Sequence, residues 1–365
     1  MIKHIPSTNI LYIWILISFL SFNQSCKSPT SPNNNTTDTT SHNFNFQTWR
    51  FGEHSSSTLY DVAIINDSSI WAVGEIYLND SLGQPDPHPY GLIHWDGFKW
   101  EVKRITAQNP SGGYSYITPT GIIAISTSEI WLASGGVFLF DGQNITSAFW
   151  LINYSGYSGG IFNNGETAQR IWGKSSTDLY AIGNKGAIAH YNGSNWQRLE
   201  SGTDLDIYDI WGNKTNNGDN EILCVASDQF AGSGKKILRI TNNIVDSISN
   251  TGLSNSLNAI WFVSSKKYYI GGDGLFSTEA LGNNWERNNK LPAYYKTSVR
   301  GNNINDVFVA GAYGLLLHYN GKSWMNYQDR FPINGSFGRV DMKEDIVCAS
   351  GNDENQAFVV IGKRQ

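Results

Sequence analysis

The chain of 365 residues has few charged residues, few cysteines and no long helical pattern after its first two dozen residues. Charged residues make up 16%, the net charge is −5 and no basic run occurs, so the electrostatic footprint of a nucleic-acid-binding protein is missing. Three cysteines cannot build a disulfide framework. Cys224 and Cys348 lie in apolar strand patterns, and we expect both to be buried and unpaired.

Motifs for metal, cofactor or nucleophile chemistry are missing or out of context. The chain has no H-E-x-x-H or paired-cysteine spacing, so we expect no metal site and no cofactor. Residues 156–160 fit the G-x-S-x-G pattern, but no helix pattern follows them as a nucleophile elbow requires. His94, His190 and His318 occupy the same place in different repeats, so we expect them to lie far apart. We therefore assign no catalytic residue.

Glycine and aromatic residues are abundant, with 37 Gly, 13 Trp, 18 Tyr and 17 Phe. Residues 178–196, DLYAIGNKGAIAHYNGSNW, combine two strand patterns, a glycine turn and an Asn-Gly hairpin signal that ends at tryptophan. Residues 306–324, DVFVAGAYGLLLHYNGKSW, are a near copy, and an insertion splits a third copy between residues 70 and 100. Such repeats are typical of propellers and solenoids.

The second strand of the repeat can be found seven times along the chain. It begins at Ile70, Ile130, Leu179, Ile222, Tyr268, Val307 and Ile346. Shorter strands before most of these copies are apolar at consecutive positions, as expected for strands buried on both faces. We therefore predict an all-β, seven-bladed β-propeller with four-stranded antiparallel blades. The blades are placed near residues 58–104, 117–152, 168–200, 206–248, 256–287, 297–328 and 337–364.

The last repeat lacks a fourth strand, and the segment before the first repeat can supply it. Residues 44–51, FNFQTWRF, have a strand pattern, with Trp49 in the place that Trp196 takes in its own repeat. Pairing these residues with residues 357–361 would close the ring and remove its exposed sheet edges. We therefore expect residues 44–365 to form one closed propeller.

The first 26 residues resemble a bacterial lipoprotein signal. An apolar stretch at residues 10–20 is too short for a settled membrane-spanning helix, and LSFNQSC follows it. Ser25 fits the pattern before the cysteine, whereas Asn23 departs from the usual aliphatic residue. The resemblance implies that residues 1–25 are removed and that Cys26 is lipidated. An ordinary secretory signal with a chance cysteine is the alternative.

Residues 26–43 contain mostly Ser, Thr, Asn and Pro and predict a flexible tether. A tether directly after a lipidation site is consistent with anchoring to a membrane. We therefore expect an exported protein that a lipid holds in the bacterial envelope, at the outer membrane, facing the periplasm or the cell surface.

The repeats resemble bacterial propellers of the wider Asp-box, kelch and WD-repeat group, with the form N-D-x-aromatic-A-V-G…G-x-I-x-H-Y-N-G-x-x-W. Residues 178–196 and 306–324 carry this resemblance best, and it covers almost all of residues 44–364. Residues 277–285 are similar to an Asp-box hairpin, with Glu279 where Asp is usual. The resemblance implies the fold but not the function, because propellers host binding, scaffolding and catalysis.

The largest insertions fall where strands two and three meet and where one blade leads to the next. In a four-stranded blade both kinds of loop emerge on the same face, so we expect the binding site there. These insertions are residues 75–90, 108–116, 153–165, 287–296 and 328–337. Their candidate ligand-binding residues are Tyr90, Tyr114, Tyr116, Tyr154, Tyr157, Tyr294, Tyr295 and Arg330.

Tyrosines amid amide side chains suit protein partners or the faces of sugars, or they pack the ring itself. We therefore predict a monomeric, non-catalytic binding or assembly module of the cell envelope that recognises a protein or a glycan. The alternative is a carbohydrate-active enzyme, either a glycoside hydrolase or a polysaccharide lyase. That alternative predicts two carboxylates, or a set of Tyr, His and Arg, that converge on the same face with shifted pKa values.

Overall fold

The structure, a computed structural model, describes residues 38–153, 157–229, 232 and 234–365. The predicted signal, the predicted lipidation site Cys26 and most of the predicted tether lie outside the described residues, as does Tyr154. The described helices are two single 3-10 turns, Asn184–Gly186 and Gln328–Arg330. Among the described residues, no helix has the length and apolar character needed to cross a membrane.

The first four blades follow the chain in order. Blade one contains β2 (Thr58–Asn66), β3 (Ser69–Ile76), β4 (Tyr90–Trp95) and β5 (Trp100–Lys103). A separate hairpin follows, made of β6 (Ile105–Gln108) and β7 (Tyr114–Ile117). Blade two contains β8 (Gly121–Ser126), β9 (Glu129–Ser134), β10 (Gly136–Phe140) and β11 (Ile145–Phe149). Blade three contains β12 (Ala168–Ser175), β13 (Asp178–Gly183), β14 (Ile188–Tyr191) and β15 (Trp196–Arg198). Blade four contains β16 (Asp206–Lys214), β17 (Asn220–Ser227), β18 (Lys235–Thr241) and β19 (Ile244–Ile248).

The last three blades complete the ring. Blade five contains β20 (Leu257–Val263), β21 (Lys267–Gly272), β22 (Gly274–Thr278) and β23 (Glu286–Arg287). Blade six contains β24 (Lys296–Asn303), β25 (Asp306–Gly311), β26 (Leu316–Tyr319) and β27 (Trp324–Asn326). Blade seven contains β28 (Ser336–Lys343), β29 (Ile346–Asp353), β30 (Gln356–Arg364) and, from the other chain end, β1 (Phe44–Phe51).

The first strand of each blade lies on the inside of the ring. Each of these strands contacts the first strand of the next blade, and β28 contacts β2, so the contacts run around a closed circle. The second strand of each blade is nearly all buried, as in β25, where every residue is buried. This burial on both faces explains the continuous apolar patterns in the sequence. The predicted seven-bladed propeller is confirmed.

The two chain ends share one sheet, which confirms the predicted closure. Strand β1 pairs with β30 in antiparallel register from Phe44 opposite Arg364 to Phe51 opposite Ala357, with Trp49 opposite Val359. This pairing covers the outer edge of β30, which would otherwise present unpaired backbone groups. Hydrophobic clusters then fill the space between neighbouring blades around the ring.

Details that the repeat pattern did not indicate appear outside the blades. The link after blade one, expected as a loop, is the hairpin β6–β7. Residues 38–43, expected at the end of a flexible tether, instead lie against blade six, where Thr40 donates its backbone N–H to the carbonyl of Asn320 at 3.2 Å. Cys224 and Cys348 are free and buried, as predicted.

Candidate functional site

One face of the ring carries the turns between second and third strands together with the links between blades. We call it the loop-rich face. Hydrogen bonds join the two kinds of loop directly: Gly314 donates to the carbonyl of Gly335, and Gly186 donates to that of Leu205, both at 2.9 Å. The topology therefore places the loops that carry the described candidate residues on one face.

The hairpin β6–β7 is two-sided. Ile105 pairs with Ile117 and, with Ala107, is buried against the core between blades one and two. The other side presents Tyr116 opposite Thr106 and Tyr114 opposite Gln108. Tyr114 is 74% exposed and Tyr116 is 45% exposed. Strand alternation thus holds two tyrosines outward on a backbone that is fixed from below.

Arg104, which lies between β5 and β6, braces this tyrosine surface from beneath. Its Nη2 atom is 2.6 Å from Oδ2 of Asp86, and its guanidinium lies 4.1 Å from the ring centre of Tyr90 and 5.6 Å from that of Tyr116. His88 stacks on Tyr116 with ring centres 4.4 Å apart. The hydrogen bond from Arg104 lowers the pKa of Asp86, so this ion pair stays charged. The insertion in blade one is therefore tied to the hairpin.

A second aromatic patch lies at the link between blades five and six. The rings of Tyr294 and Tyr313 are 5.2 Å apart, and both side chains are exposed. Beneath them, the buried ammonium of Lys296 donates to the carbonyls of Pro292 and Tyr294 at 2.5 Å. Burial, followed by the nearby Arg287, lowers the pKa of Lys296 to about 8. The lysine holds the link in place.

The remaining candidate residues divide between inward and outward positions. The Tyr295 hydroxyl is 2.9 Å from that of Ser256, and burial raises the pKa of Tyr295. Tyr157 donates to the carbonyl of Trp150 at 3.3 Å. Arg330 ends a 3-10 turn and is exposed. The structure therefore brings Tyr90, Tyr114 and Tyr116 together and places Tyr294 in a separate patch.

Arg104, His88 and Tyr313 belong to these patches but were not among the sequence candidates. Arg104 directly follows the last strand of blade one, and nothing in its sequence position indicated a contact with the rings of Tyr90 and Tyr116. Tyr313 stands in the A-Y-G turn of the repeat, where the copy in blade three has Lys185. This departure from the repeat was the one available signal for Tyr313.

Charged side chains fill the channel at the centre of the ring. Oxygens of Asp61, Asp209 and Asp341 accept backbone N–H groups of the next blade, from Ile122 at 3.2 Å, Ile260 at 2.9 Å and Ile64 at 2.8 Å, respectively. Arg300 also binds Asp209 through two contacts of 2.8 and 2.9 Å. These carboxylates join the inner strands of successive blades.

Arg339 crosses the channel from blade seven. It is 3% exposed and donates to the carbonyls of Tyr208 in blade four, at 2.7 Å, and Thr297 in blade six. Burial, followed by the nearby Arg170, lowers the pKa of Arg339 to about 10. Burial raises the pKa of Asp341 to about 6. A cavity of about 220 Å³ remains along the channel, lined by Arg170, Arg300, the three aspartates and apolar residues of the inner strands.

The described residues hold no group of three or more His, Cys, Asp and Glu side chains placed to bind a metal ion. The carboxylates of Asp61, Asp209 and Asp341 line the channel. Their oxygens accept backbone N–H groups, and Asp209 also binds Arg300. These contacts join neighbouring blades.

Comparisons with solved structures support the fold over most of the chain. The chain is similar to a structure described as YCF48 bound to D1 peptide, with 17% identity, a TM-score of 0.61, and coverage of 90% of this chain and 99% of that one. It is also similar to U3-55K, with 11% identity, a TM-score of 0.58, and coverage of 86% and 98%. The WD40 propeller domain of Doa1 matches with 12% identity, a TM-score of 0.57, and coverage of 88% and 97%.

No protein-family model and no curated protein sequence matches the chain. The lipoprotein and Asp-box resemblances stay predictions, since none of these structural likenesses tests them. At such low identity the likeness shows the fold alone: a seven-bladed β-propeller similar in architecture to these structures.

Proposed function

We propose that the protein is a binding or assembly module that recognises a protein partner through its loop-rich face. The observation that carries this proposal is the hairpin β6–β7, which holds Tyr114 and Tyr116 outward, with the Arg104 guanidinium packed against the Tyr116 ring. Exposed tyrosines on a fixed backbone bury a large area at low cost in side-chain entropy. The similar YCF48 structure contains a bound peptide, which supports a protein or peptide as the partner class.

Site-specific crosslinking tests this proposal on the full chain. A photo-crosslinking side chain at position 114 should capture one protein partner, whereas the same side chain at position 98 should not. Phe98 is the matched control because it is 91% exposed and lies in the turn between the last two strands of blade one, on the opposite face. Replacing Tyr116 with Ala should weaken capture at position 114.

Two results would contradict the proposal. Equal capture at positions 98 and 114 would mean that the loop-rich face is not the site. Binding of a polysaccharide that is lost in the Tyr114→Ala, Tyr116→Ala double variant would assign the same surface to a glycan.

We also propose that a lipid on Cys26 anchors the protein in a bacterial envelope. The support is the sequence pattern at residues 20–26 and the polar segment after it. Cys26→Ser should move the protein from the membrane fraction to the soluble fraction. Unchanged fractionation would contradict the anchor without affecting the proposed binding surface, because the propeller would remain intact.

A further inference from the structure

The segment before β1 is bound to blade six in the manner of a peptide ligand. Thr40 donates its N–H to the carbonyl of Asn320, and the side-chain amide of Asn320 donates back to the carbonyl of Thr40, both at 3.2 Å. The Thr40 hydroxyl donates to the carbonyl of Asn305 at 2.8 Å. This part of the chain therefore docks through its backbone as well as its side chains.

Alternate residues of the segment contact the same blade. Nδ1 of His42 lies 2.8 Å from Nδ1 of His318, whose Nε2 lies 2.9 Å from Asp306. Phe44 meets Phe308 edge to face, with ring centres 5.2 Å apart. Because side chains alternate along an extended chain, Thr40, His42 and Phe44 all point to one side. The segment thus shows which side chains the surface of blade six contacts: Thr, His and Phe at alternate positions.

Blade three contains the same receptor groups. In the aligned repeats, Asp178 and His190 stand where blade six has Asp306 and His318, and Asn192 stands where it has Asn320. Nε2 of His190 lies 2.9 Å from Asp178, the same separation as in blade six. Tyr180 stacks on His190 with ring centres 4.4 Å apart and planes at 19°.

The corresponding stack of Phe308 on His318 in blade six measures 4.6 Å and 19°. The receptor geometry of blade six is therefore repeated in blade three, where residues 38–43 make no hydrogen bond with a described residue.

Residues 38–43 lie across blade six, and the equivalent position on blade three faces blade four. In blade seven the outer strand comes from the other chain end, so residues 38–43 continue beyond it across blade six. In blade four the outer strand β19 follows β18 through a tight turn at Asn242 and Asn243, with φ of 50° and 63°. A cavity of about 680 Å³ lies beside this turn, lined by Tyr180 of blade three and by blade-four residues that include Asn242 and Asn243.

A second feature of this groove is the side chain of Lys174. It occupies the position of Asn302, which in blade six donates to Asp306 at 2.8 Å. The Lys174 ammonium nitrogen is buried and has no hydrogen-bond partner among the described residues. A buried ammonium without a partner is costly, and a peptide carbonyl placed in the groove would satisfy it.

We propose that the groove between blades three and four binds an extended segment of another protein that carries Thr, His and an aromatic residue at alternate positions. The groove lies at Asp178, at the end of the first turn of blade three, so it opens on the face opposite the loop-rich face. The partner is another protein rather than a second copy, because each copy's own segment is already seated on its blade six next to β1. This site is additional to the loop-rich face.

Some contacts differ between the two places. Thr177 replaces Asn305, Asn195 replaces Ser323, and Leu199 replaces Tyr327, whose hydroxyl donates to the carbonyl of His42 in blade six. The shared groups select Thr, His and the aromatic residue, whereas the positions between them are free to vary.

The test titrates the full chain into a fluorescent, end-capped peptide with the sequence of residues 38–46, DTTSHNFNF. We expect saturable binding of one peptide per chain. Asp178→Asn or His190→Gln should weaken it about tenfold, the effect of losing one charge-assisted hydrogen bond. Replacing the peptide's His with Ala should have the same effect, and this variant needs no change in the protein.

His94→Gln is the matched control, because His94 has the same repeat position but a Ser69 hydroxyl instead of a carboxylate as its partner. It should leave binding unchanged. Absence of saturable binding, or binding unaffected by Asp178→Asn and His190→Gln, would overturn the proposal. Binding that depends on Asp306 instead would mean exchange with the chain's own segment. Self-association that Asp178→Asn abolishes would assign the groove to a second copy.

Discussion

Blade three and blade six have near-duplicate repeats but different surroundings. Both contain an Asp–His pair at 2.9 Å and an aromatic ring stacked on the histidine. In blade three the His190 side chain is 13% exposed, whereas that of His318 in blade six is fully buried. Arg364 from the C-terminus and His42 from the N-terminal segment cover the second pair.

This difference shows how far a repeat determines its own structure. The Asn-Gly turns are the same in both blades: Tyr191 donates to the carbonyl of Gly193 at 3.1 Å, and Tyr319 donates to that of Gly321 at 2.8 Å. Local sequence therefore produces the hairpin. The position in the ring decides what covers it, because blade six lies beside blade seven, where the two chain ends meet, on the side that residues 38–43 cross.

The largest loss of unfolding free energy is expected from deleting β1, because the docked segment that distinguishes blade six from blade three leads into this strand. Deletion of β1, Phe44–Phe51, would expose the edge of β30 and remove Phe44 from the core. We expect a loss of more than about 5 kcal/mol of unfolding free energy, because several buried aromatic contacts and a strand pairing disappear together. Urea denaturation measures it. Deletion of residues 38–41 alone is the control, and a truncated ring as stable as the full domain would refute the closure argument.

Among single substitutions, replacing the aspartate of the Asp–His pair with Asn should give the largest difference in unfolding free energy between blade six and blade three. Asp306 is buried and both of its oxygens accept from Nη2 of Arg364 at 2.6 Å, so Asp306→Asn removes a buried carboxylate from both Arg364 and His318 and leaves Arg364 with Asp345 as its carboxylate partner. We expect a cost of about 3–5 kcal/mol. Asp178→Asn removes a partly exposed contact and should cost about 1 kcal/mol or less. Equal costs in urea denaturation would show that the chain ends do not strengthen blade six.

Replacing the turn glycine with Ala should lower the unfolding free energy by the same amount in blade three and in blade six. Gly193 and Gly321 have φ of 90° and 93°, and an added Cβ would lie 2.9 Å from Cβ of Thr177 or 2.8 Å from Cβ of Asn305, respectively. We expect each substitution to cost about 1–2 kcal/mol. Thermal unfolding of the two variants should therefore give the same shift. A clearly larger shift for Gly321→Ala would mean that the docked segment, not the turn, determines its cost.

The smallest effect is expected from mild acid, and it should arise in blade six. Burial, followed by the charge of His318, lowers the pKa of His42, and burial lowers that of His318 from the ordinary 6.5 although Asp306 opposes it. Because the unfolded chain binds these protons more readily, their contribution to stability is full above pH 6.5 and declines as the pH falls below it.

Unfolding free energies measured between pH about 7.5 and about 5 contain this decline together with the opposite contribution of Asp341, whose pKa is raised to about 6, so the comparison of variants isolates the histidines. His42→Gln removes one of the two titrating groups and should reduce the slope. An unchanged slope in that variant would contradict the role of the histidine pair.

The blade count and the closure of the ring could be predicted because both depend on short-range patterns. Seven copies of one apolar strand and a spare strand before the first copy required only alternation, turn residues and the need to cover sheet edges. The loop-rich face also followed from strand connectivity. The hairpin β6–β7 did not, because its strands have four residues each and belong to no repeat.

The composition of the candidate site was less predictable. Tyr90 and Tyr116 were both candidates, but their link through Arg104 depends on how the blade-one insertion folds back. The pairing of Tyr294 with Tyr313 likewise joins a link to a turn. Such contacts depend on loop conformation, which has no periodic pattern from which it can be inferred.

The amino-acid sequence by itself determined that this protein is a ring of antiparallel blades, because strand patterns, tight turns and apolar inner strands recur along the chain. Only the tertiary structure decided which copies of the repeat are covered and which remain open. His318 and His190 are equivalent in sequence, yet residues distant along the chain, His42 and Arg364, bury one of them. Local sequence patterns set the backbone geometry, whereas the burial of a side chain depends on which residues the closed ring places next to it.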